Sequence, residues 1–146
     1  MEIAKGFQLE TPQVFVRWGI TQDELESLFE GSGLERGRHR FYFGLANCIS
    51  LGGLSCSIGF TFDRVGGKLY QIRFGPAGAS IEESYPRLQQ HLEATFGQPT
   101  RTSPGREMDG CPDHTWSFPG VQIDHYVSEH FGPAESALIR WSDQFS

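Results

Sequence analysis

The sequence predicts a single α+β domain over residues 1–146, in which two helices pack on one face of a curved antiparallel sheet. Three observations predict this architecture. Two segments space their apolar residues as a helix does, and several others alternate apolar and polar residues as strands do. Both patterns then recur in the second half of the chain, which indicates a pseudo-tandem repeat.

Composition places the chain among folded proteins that act in water. Of its residues, 38% are hydrophobic and only 21% are charged, far from the composition of a disordered chain. Its 18 acidic and 12 basic residues give a net charge of −6, which disfavours binding to nucleic acids and anionic membranes. The first residues carry no secretory signal pattern and no apolar run is long enough to span a membrane, so we expect a cytoplasmic location.

The first predicted helix opens at Thr21. Glu24 follows at the spacing of a capping box, in which each side chain accepts a hydrogen bond from the other residue's backbone amide. The spacing places three apolar residues on one face, Leu25, Leu28 and Phe29. The glycines of the sequence Gly31-Ser32-Gly33 then end the helix.

The second predicted helix runs from about Ser80 to Phe96, with Ser80 and Glu83 as a second capping box. Its apolar residues recur at helical spacing, at Ile81, Tyr85, Leu88, Leu92 and Phe96. Pro86 leaves two alternatives for the start. It lies inside a helix that begins near Ser80, or it occupies the first turn of one that begins near Ser84.

Alternating residues predict the strands. The segments 54–62 and 69–74 form a hairpin in which Tyr70, Ile72 and Phe74 are expected to point inward and Leu69 outward. Strands near 114–118 and 121–127 are joined by Pro119-Gly120, and a last strand lies near 137–142, with weaker candidates at 13–17 and 40–45. We expect the following residues to be buried: Leu54, Ile58, Phe60, Ile72, Phe74, Leu92, Phe96, Val121, Ile123, Ile139 and Trp141.

The repeat is visible when the chain is shifted against itself without gaps. Gly53-Leu54 then falls on Gly120-Val121, and Ile72-Arg73-Phe74 falls on Ile139-Arg140-Trp141. The two units span about 12–75 and 79–142. The alternative is chance similarity, since any two helix-plus-hairpin units share these periods.

Residue types that carry chemistry are present without a recognised motif. The pairs Asp113-His114, Asp124-His125 and Glu129-His130 lack the spacing of metal ligands, so no metal and no other cofactor is expected. His125 and Cys56 fall on the inward side of their strands, where a hydrogen-bonded histidine and an inert thiol are the ordinary outcome. Cys48 and Cys111 are placed in loops, where they could react, and no disulfide is indicated.

One face of the sheet is left open if the apolar rows face the helices. It carries small, polar and aromatic residues, namely Ser55, Ser57, Gln71, Arg73, Gln122, Asp124, Tyr126 and Arg140. Tyrosine and arginine are enriched where proteins bind partners, and the long acidic loop 102–114 adjoins this face. The predicted binding residues are Tyr126, Arg73, Arg140, Asp124, Glu107, Asp109 and Asp113. The alternative is a solvated sheet face with no partner.

The repeat pattern, the Phe-Gly at the end of the second helix and the strands between Trp116 and Trp141 resemble the tandem helix-plus-sheet repeat of the β-lactamase inhibitor protein. They are also similar to the related small lipoprotein fold of outer-membrane assembly factors and to small bacterial immunity proteins. The resemblance implies that the concave sheet face grips a protein. The chain departs from the inhibitor because it shows no export signal and no paired cysteines.

These observations favour a non-enzymatic binding protein, specifically a cytoplasmic immunity protein that occludes the active site of a cognate bacterial toxin. The net charge of −6 would complement a basic cleft in the toxin. Two alternatives remain open. One is a small-ligand or enzymatic domain using the cup between sheet and loop, with Cys111, His114 and Asp113. The other is a chaperone or adaptor of a secretion system.

Overall fold

The computed structural model describes residues 1–104, 111–129 and 132–143. It contains two helices, α1 (Gln22–Leu28) and α2 (Ile81–Phe96). The first five strands are β1 (Gly6–Gln8), β2 (Phe15–Arg17), β3 (Leu34–Arg36), β4 (Tyr42–Ser50) and β5 (Leu54–Phe62). The other five are β6 (Leu69–Phe74), β7 (Arg101–Ser103), β8 (Asp113–Phe118), β9 (Val121–Glu129) and β10 (Pro133–Trp141).

Eight strands form one sheet in the order β3-β4-β5-β6-β10-β9-β8-β7. Every neighbouring pair in this sheet is antiparallel. Strands β1 and β2 form a separate antiparallel pair. The predicted α+β class with an antiparallel sheet is therefore confirmed. No helix in the described ranges is long and apolar enough to cross a bilayer.

Helix α1 is set by the capping box that the sequence predicts. Thr21 Oγ1 accepts from the Glu24 amide at 3.3 Å, and Glu24 Oε1 accepts from the Thr21 amide at 3.0 Å. The bond from the Thr21 amide, and a second from the Thr21 hydroxyl at 3.0 Å, favour the charged carboxylate and lower the pKa of Glu24. Leu25 and Phe29 are buried, but Leu28 is exposed, so its predicted place on the packed face is wrong. At roughly 100° per residue, Leu28 falls to one side of the stripe that Leu25 and Phe29 define.

Helix α2 begins at Ile81, so the alternative start near Ser84 is wrong and Pro86 lies inside the helix. Ser80 Oγ accepts from the Glu83 amide at 3.3 Å. The Glu83 carboxylate reaches the amide of Ala79 instead of Ser80, so this cap is not the reciprocal box predicted. Leu88 and Leu92 are fully buried.

A bulge between β5 and β6 corrects one detail of the predicted hairpin. Thr61 pairs with Gln71 and Phe62 pairs with Leu69, so Tyr70 is the extra residue on β6. The extra residue reverses the alternation beyond it. Leu69 is therefore completely buried and Tyr70 is only half-buried, the opposite of the predicted orientation.

The core lies between the helices and one face of the large sheet. Phe29, the C-cap residue of α1, packs on Phe60 of β5 with ring centroids 5.5 Å apart, and Gln89 of α2 is hydrogen-bonded to His125 of β9. Phe60 and His125 project from the same face, because both belong to the buried rows of their strands. Nine of the eleven residues predicted to be buried are buried. Phe96 and Trp141 are only partly buried, because they lie at the ends of α2 and β10.

Candidate functional site

The face of the sheet opposite the helices contains a groove of about 770 Å³. We call it the open-face groove. It is lined by residues of five adjacent strands, Gln71, Arg73, Leu138, Arg140, Gln122, Asp124, Tyr126, Asp113, His114, Thr115, Arg101 and Ser103. Strand pairing explains this gathering, since one row of partners crosses the sheet from Arg73 through Leu138, Asp124 and Thr115 to Arg101.

Five of the seven predicted binding residues line this groove, although they are distant in sequence. They are Arg73, Asp113, Asp124, Tyr126 and Arg140. Glu107 and Asp109 lie outside the described residues. Of the remaining open-face candidates, Ser57 lies beside Arg73 in a smaller depression of about 270 Å³, and Ser55 is exposed near the start of β5.

Asp124 organises the centre of the groove. Its Oδ2 atom accepts from Arg140 Nη2 at 2.9 Å, and its Oδ1 atom accepts from Thr115 Oγ1 at 2.9 Å. Gln122 Nε2 donates to the same carboxylate at 3.0 Å. The Asp124 side chain is only 15% exposed, whereas that of Arg140 is 38% exposed. Asp124 therefore positions the more accessible guanidinium.

Arg73 is positioned in a similar way on the neighbouring strand. Its Nη1 atom donates to Ser136 Oγ at 3.2 Å. Tyr126 is the register partner of Ser136 and is half-buried on the groove side. The two arginines and the tyrosine thus project from three consecutive strands, β6, β10 and β9.

The described part of the groove carries three arginines, Arg73, Arg101 and Arg140, and two aspartates, Asp113 and Asp124. The charge of these described residues is therefore mixed and does not show the acidic excess of the chain as a whole. Arg101, Ser103 and Thr115 were not among the predicted site residues. Strand β7 is only three residues long, too short for alternation to reveal which way its side chains point.

A second polar cluster is buried between α2 and the sheet. His125 Nε2 lies 2.5 Å from Glu135 Oε2, and His125 Nδ1 lies 2.7 Å from Gln89 Oε1. Ser84 Oγ donates to the other oxygen of Glu135 at 2.5 Å, and Tyr85 stacks on the imidazole at 4.1 Å. His125 is completely buried, as the alternation predicted.

This cluster does not have the arrangement of a nucleophilic triad. In a triad the serine donates to the histidine, which removes its proton, whereas Ser84 donates to the carboxylate of Glu135. Ser84 is also 1% exposed, so no substrate reaches its hydroxyl. The cluster instead satisfies polar groups that the core would otherwise leave unpaired.

The enzymatic alternative depends on Cys111, His114 and Asp113, and these residues are only partly accessible to solvent. Cys111 is buried against Tyr85 and Val127, and burial together with the charges of Glu135 and Glu82 raises the pKa of its thiol. A raised pKa disfavours the nucleophilic thiolate. Burial and the neighbouring His125 lower the pKa of His114. Within the described ranges, no three His, Cys, Asp or Glu side chains are grouped as metal ligands.

Comparison with known proteins adds little. No family model matches the chain, and no curated protein matches it. Among solved structures it is similar to a DUF4309 family protein, YjgB from Bacillus subtilis subsp. subtilis str. 168, at 11% sequence identity and a TM-score of 0.46. That match covers 84% of this chain and 78% of YjgB.

Proposed function

We propose that this chain is a non-enzymatic protein that binds a protein partner in the open-face groove. The observation that carries the proposal is the convergence of Tyr126, Arg73 and Arg140 on one side of the central strands. Both helices pack on the other side, so neither of them covers this face. Tyrosine and arginine carry a large share of the energy at protein interfaces.

The arginines are suited to binding because the fold already orders them. Asp124 holds Arg140, and Ser136 holds Arg73. Ordering a flexible side chain at an interface costs about 0.5–1.5 kcal/mol, so a side chain that is already held loses less on binding. The partner surface that enters this groove would present carbonyl or carboxylate oxygens to the two guanidinium groups.

The narrower proposal is a cytoplasmic immunity protein that occludes a bacterial toxin. It is supported by the resemblance to tandem helix-plus-sheet proteins that grip an enzyme with their sheet. The strand order supports the repeat behind that resemblance, since β3-β4-β5-β6 meets its counterpart β10-β9-β8-β7 at the middle of the sheet. Strands β5 and β9 also have equal lengths, as do β3 and β7.

The dimensions of the groove favour a second candidate. A concavity of about 770 Å³ is within the range of small-ligand sites. Arg73, Arg101 and Arg140 would then bind an anionic small molecule, with Tyr126 as an aromatic wall. This candidate uses the same residues but requires no protein partner. A chaperone or adaptor for a secretion system would also bind a protein, and it differs from an immunity protein in conferring no protection.

The test is co-expression of the chain with the product of the neighbouring gene, followed by pull-down and a growth assay. Tyr126→Ala and Arg73→Ala should each weaken binding by about 2 kcal/mol or more, roughly 30-fold in Kd, with the fold intact. The matched control is Leu28→Ala, which truncates an exposed apolar residue on α1. It should leave binding and protection unchanged.

The outcomes separate the candidates. Protection that is lost with Tyr126→Ala and kept with Leu28→Ala supports an immunity protein. Binding without protection supports a chaperone or adaptor. If Leu28→Ala abolishes binding while Tyr126→Ala does not, the open-face groove is not the interface. If the wild-type chain binds no protein but retains a small anion that Arg73→Ala releases, the small-ligand candidate is correct.

A further inference from the structure

Two cysteines lie opposite each other on neighbouring strands of the sheet. Cys48 of β4 and Cys56 of β5 are direct register partners in an antiparallel pair, just beyond a register shift in β4. Their Sγ atoms are 3.8 Å apart. The structure thus corrects the predicted loop position of Cys48, which lies in a strand and is buried.

Direct opposition on antiparallel strands is an arrangement that a disulfide can span. Opposed residues in antiparallel strands have Cα atoms about 4.5–5.5 Å apart, within the range of about 4.4–6.8 Å that disulfides span. Rotation about the two Cα–Cβ bonds is then the main movement needed to bring the sulfurs to about 2.05 Å. Cys111 lies in a different cluster of buried residues, with Tyr85 and Val127, and does not compete for either sulfur.

The surroundings also activate one of the two thiols. The Cys48 thiol and the Ser50 hydroxyl, 3.3 Å away, are both placed to hydrogen-bond to the Cys56 sulfur. The hydrogen bond with Cys48 is the main reason that the pKa of Cys56 falls to about 7. The same interaction, together with burial, raises the pKa of Cys48. Of the two thiols, Cys56 is therefore the one favoured to ionise, although its sequence pattern predicts an inert, buried thiol.

The geometry points to Cys48 and Cys56 as an oxidation site that closes a cross-strand disulfide when the protein meets a peroxide. A peroxide is the fitting oxidant because both cysteines are buried, at 4% and 7% exposure, and only a small molecule reaches such sulfurs. This site is independent of the open-face groove.

The reaction proceeds in two balanced steps. The Cys56 thiolate attacks one peroxide oxygen and the O–O bond breaks, which gives a sulfenic acid and hydroxide that is protonated to water. The Cys48 sulfur then loses its proton and attacks the Cys56 sulfur, displacing hydroxide as a second water. Two thiols lose two electrons in total, and one peroxide is reduced to two waters. Loss of the negative charge on Cys56 weakens the hydrogen bond that is the largest cause of the raised pKa of Cys48 and removes the smaller repulsion between the two charges, which favours the second step.

The test treats the folded, reduced protein with hydrogen peroxide, quenches it with catalase and alkylates all free thiols in denaturant. Mass spectrometry should find one alkyl group per chain after oxidation instead of three, with Cys48 linked to Cys56 and the mass of two hydrogen atoms lost. A reducing agent should restore three alkyl groups. The rate of bond formation should rise as pH increases through about 7, where Cys56 ionises.

Variants give the controls. Cys111→Ser retains the pair and should form the bond at the wild-type rate. Cys48→Ser removes the resolving thiol, so dimedone should trap a sulfenic acid on Cys56. The proposal is overturned if wild type and Cys111→Ser keep all their thiols while free glutathione in a parallel tube is consumed. It is also overturned if peptide mapping places the crosslink on Cys111. The first outcome is read in wild type and Cys111→Ser and the second in wild type, so both stand even if a Cys48 variant fails to fold.

Discussion

Asp124 and Arg140 form an ion pair that runs diagonally between strands β9 and β10, with Oδ2 and Nη2 2.9 Å apart. The two residues are not register partners, because Asp124 lies opposite Leu138 and Arg140 lies opposite Gln122. Diagonal neighbours on one sheet face remain within reach of a long side chain. The pair joins two strands at the centre of the open-face groove.

We expect this ion pair to contribute modestly to stability, because Arg140 is partly solvated. A double-mutant cycle with Asp124→Asn and Arg140→Gln should give a coupling free energy of about 0.5–1 kcal/mol in urea unfolding. The matched control is the exposed pair Lys5 and Glu2, which should couple less. Equal coupling in the two pairs would contradict the stronger role given to Asp124.

Leu92 should be a principal core residue. It is completely buried on α2, so Leu92→Ala should lower the free energy of unfolding by about 2–5 kcal/mol, since it leaves a cavity. Leu28→Ala, on the exposed side of α1, should change it by less than about 0.5 kcal/mol. Phe96→Ala should fall between them, because Phe96 is only partly buried. Denaturant unfolding measures all three, and similar values for Leu92 and Leu28 would refute the packing described.

His125 should stabilise the fold through its buried hydrogen bonds. His125→Phe keeps a ring against Tyr85 but leaves Glu135 Oε2 and Gln89 Oε1 without their partner. The loss should be about 3 kcal/mol or more, because one of these atoms belongs to a buried carboxylate. Adding Glu135→Gln should recover part of it, since the unpaired group is then neutral. If the double variant is no more stable than His125→Phe, the carboxylate is not the source of the loss.

His114 should make the free energy of unfolding decrease as the pH falls below about 6.5. Burial and the nearby His125 lower its pKa below the usual 6.5, while Glu93 and Asp113 act in the opposite direction. A lowered pKa in the folded state gives a contribution that is complete above about pH 6.5 and is lost as pH falls through the folded value. The stability advantage of wild type over His114→Gln should therefore shrink between about pH 7.5 and about pH 5. Unfolding at each pH measures it, and NMR titration of the ring protons locates the pKa.

The local elements of this fold could be predicted because their causes are local. The capping box of Thr21 and Glu24 and the alternation in Leu54–Phe62 act over a few residues, and both appear as predicted. The inward orientation of His125 followed from the same alternation. The errors have another origin. Helical rotation places Leu28 at the edge of the α1 stripe, and whether that edge is covered depends on the neighbouring element. The bulge that reverses Leu69 and Tyr70 depends on how β6 pairs with β5, which periodicity does not contain.

Part of the candidate site could likewise be predicted from local patterns, and part depended on the tertiary structure. Alternation alone placed Arg73, Asp124, Tyr126 and Arg140 on the open face, because a strand sends successive side chains to opposite sides. Strand order and register were needed to bring in Arg101 and to form the Asp124 and Arg140 pair. The same is true of Cys48, which meets Cys56 because β4 pairs with β5 in this register. The local alternation of the sequence determines which residues share a face of the sheet. The contacts between those residues depend on long-range strand pairing, which only the folded sheet decides.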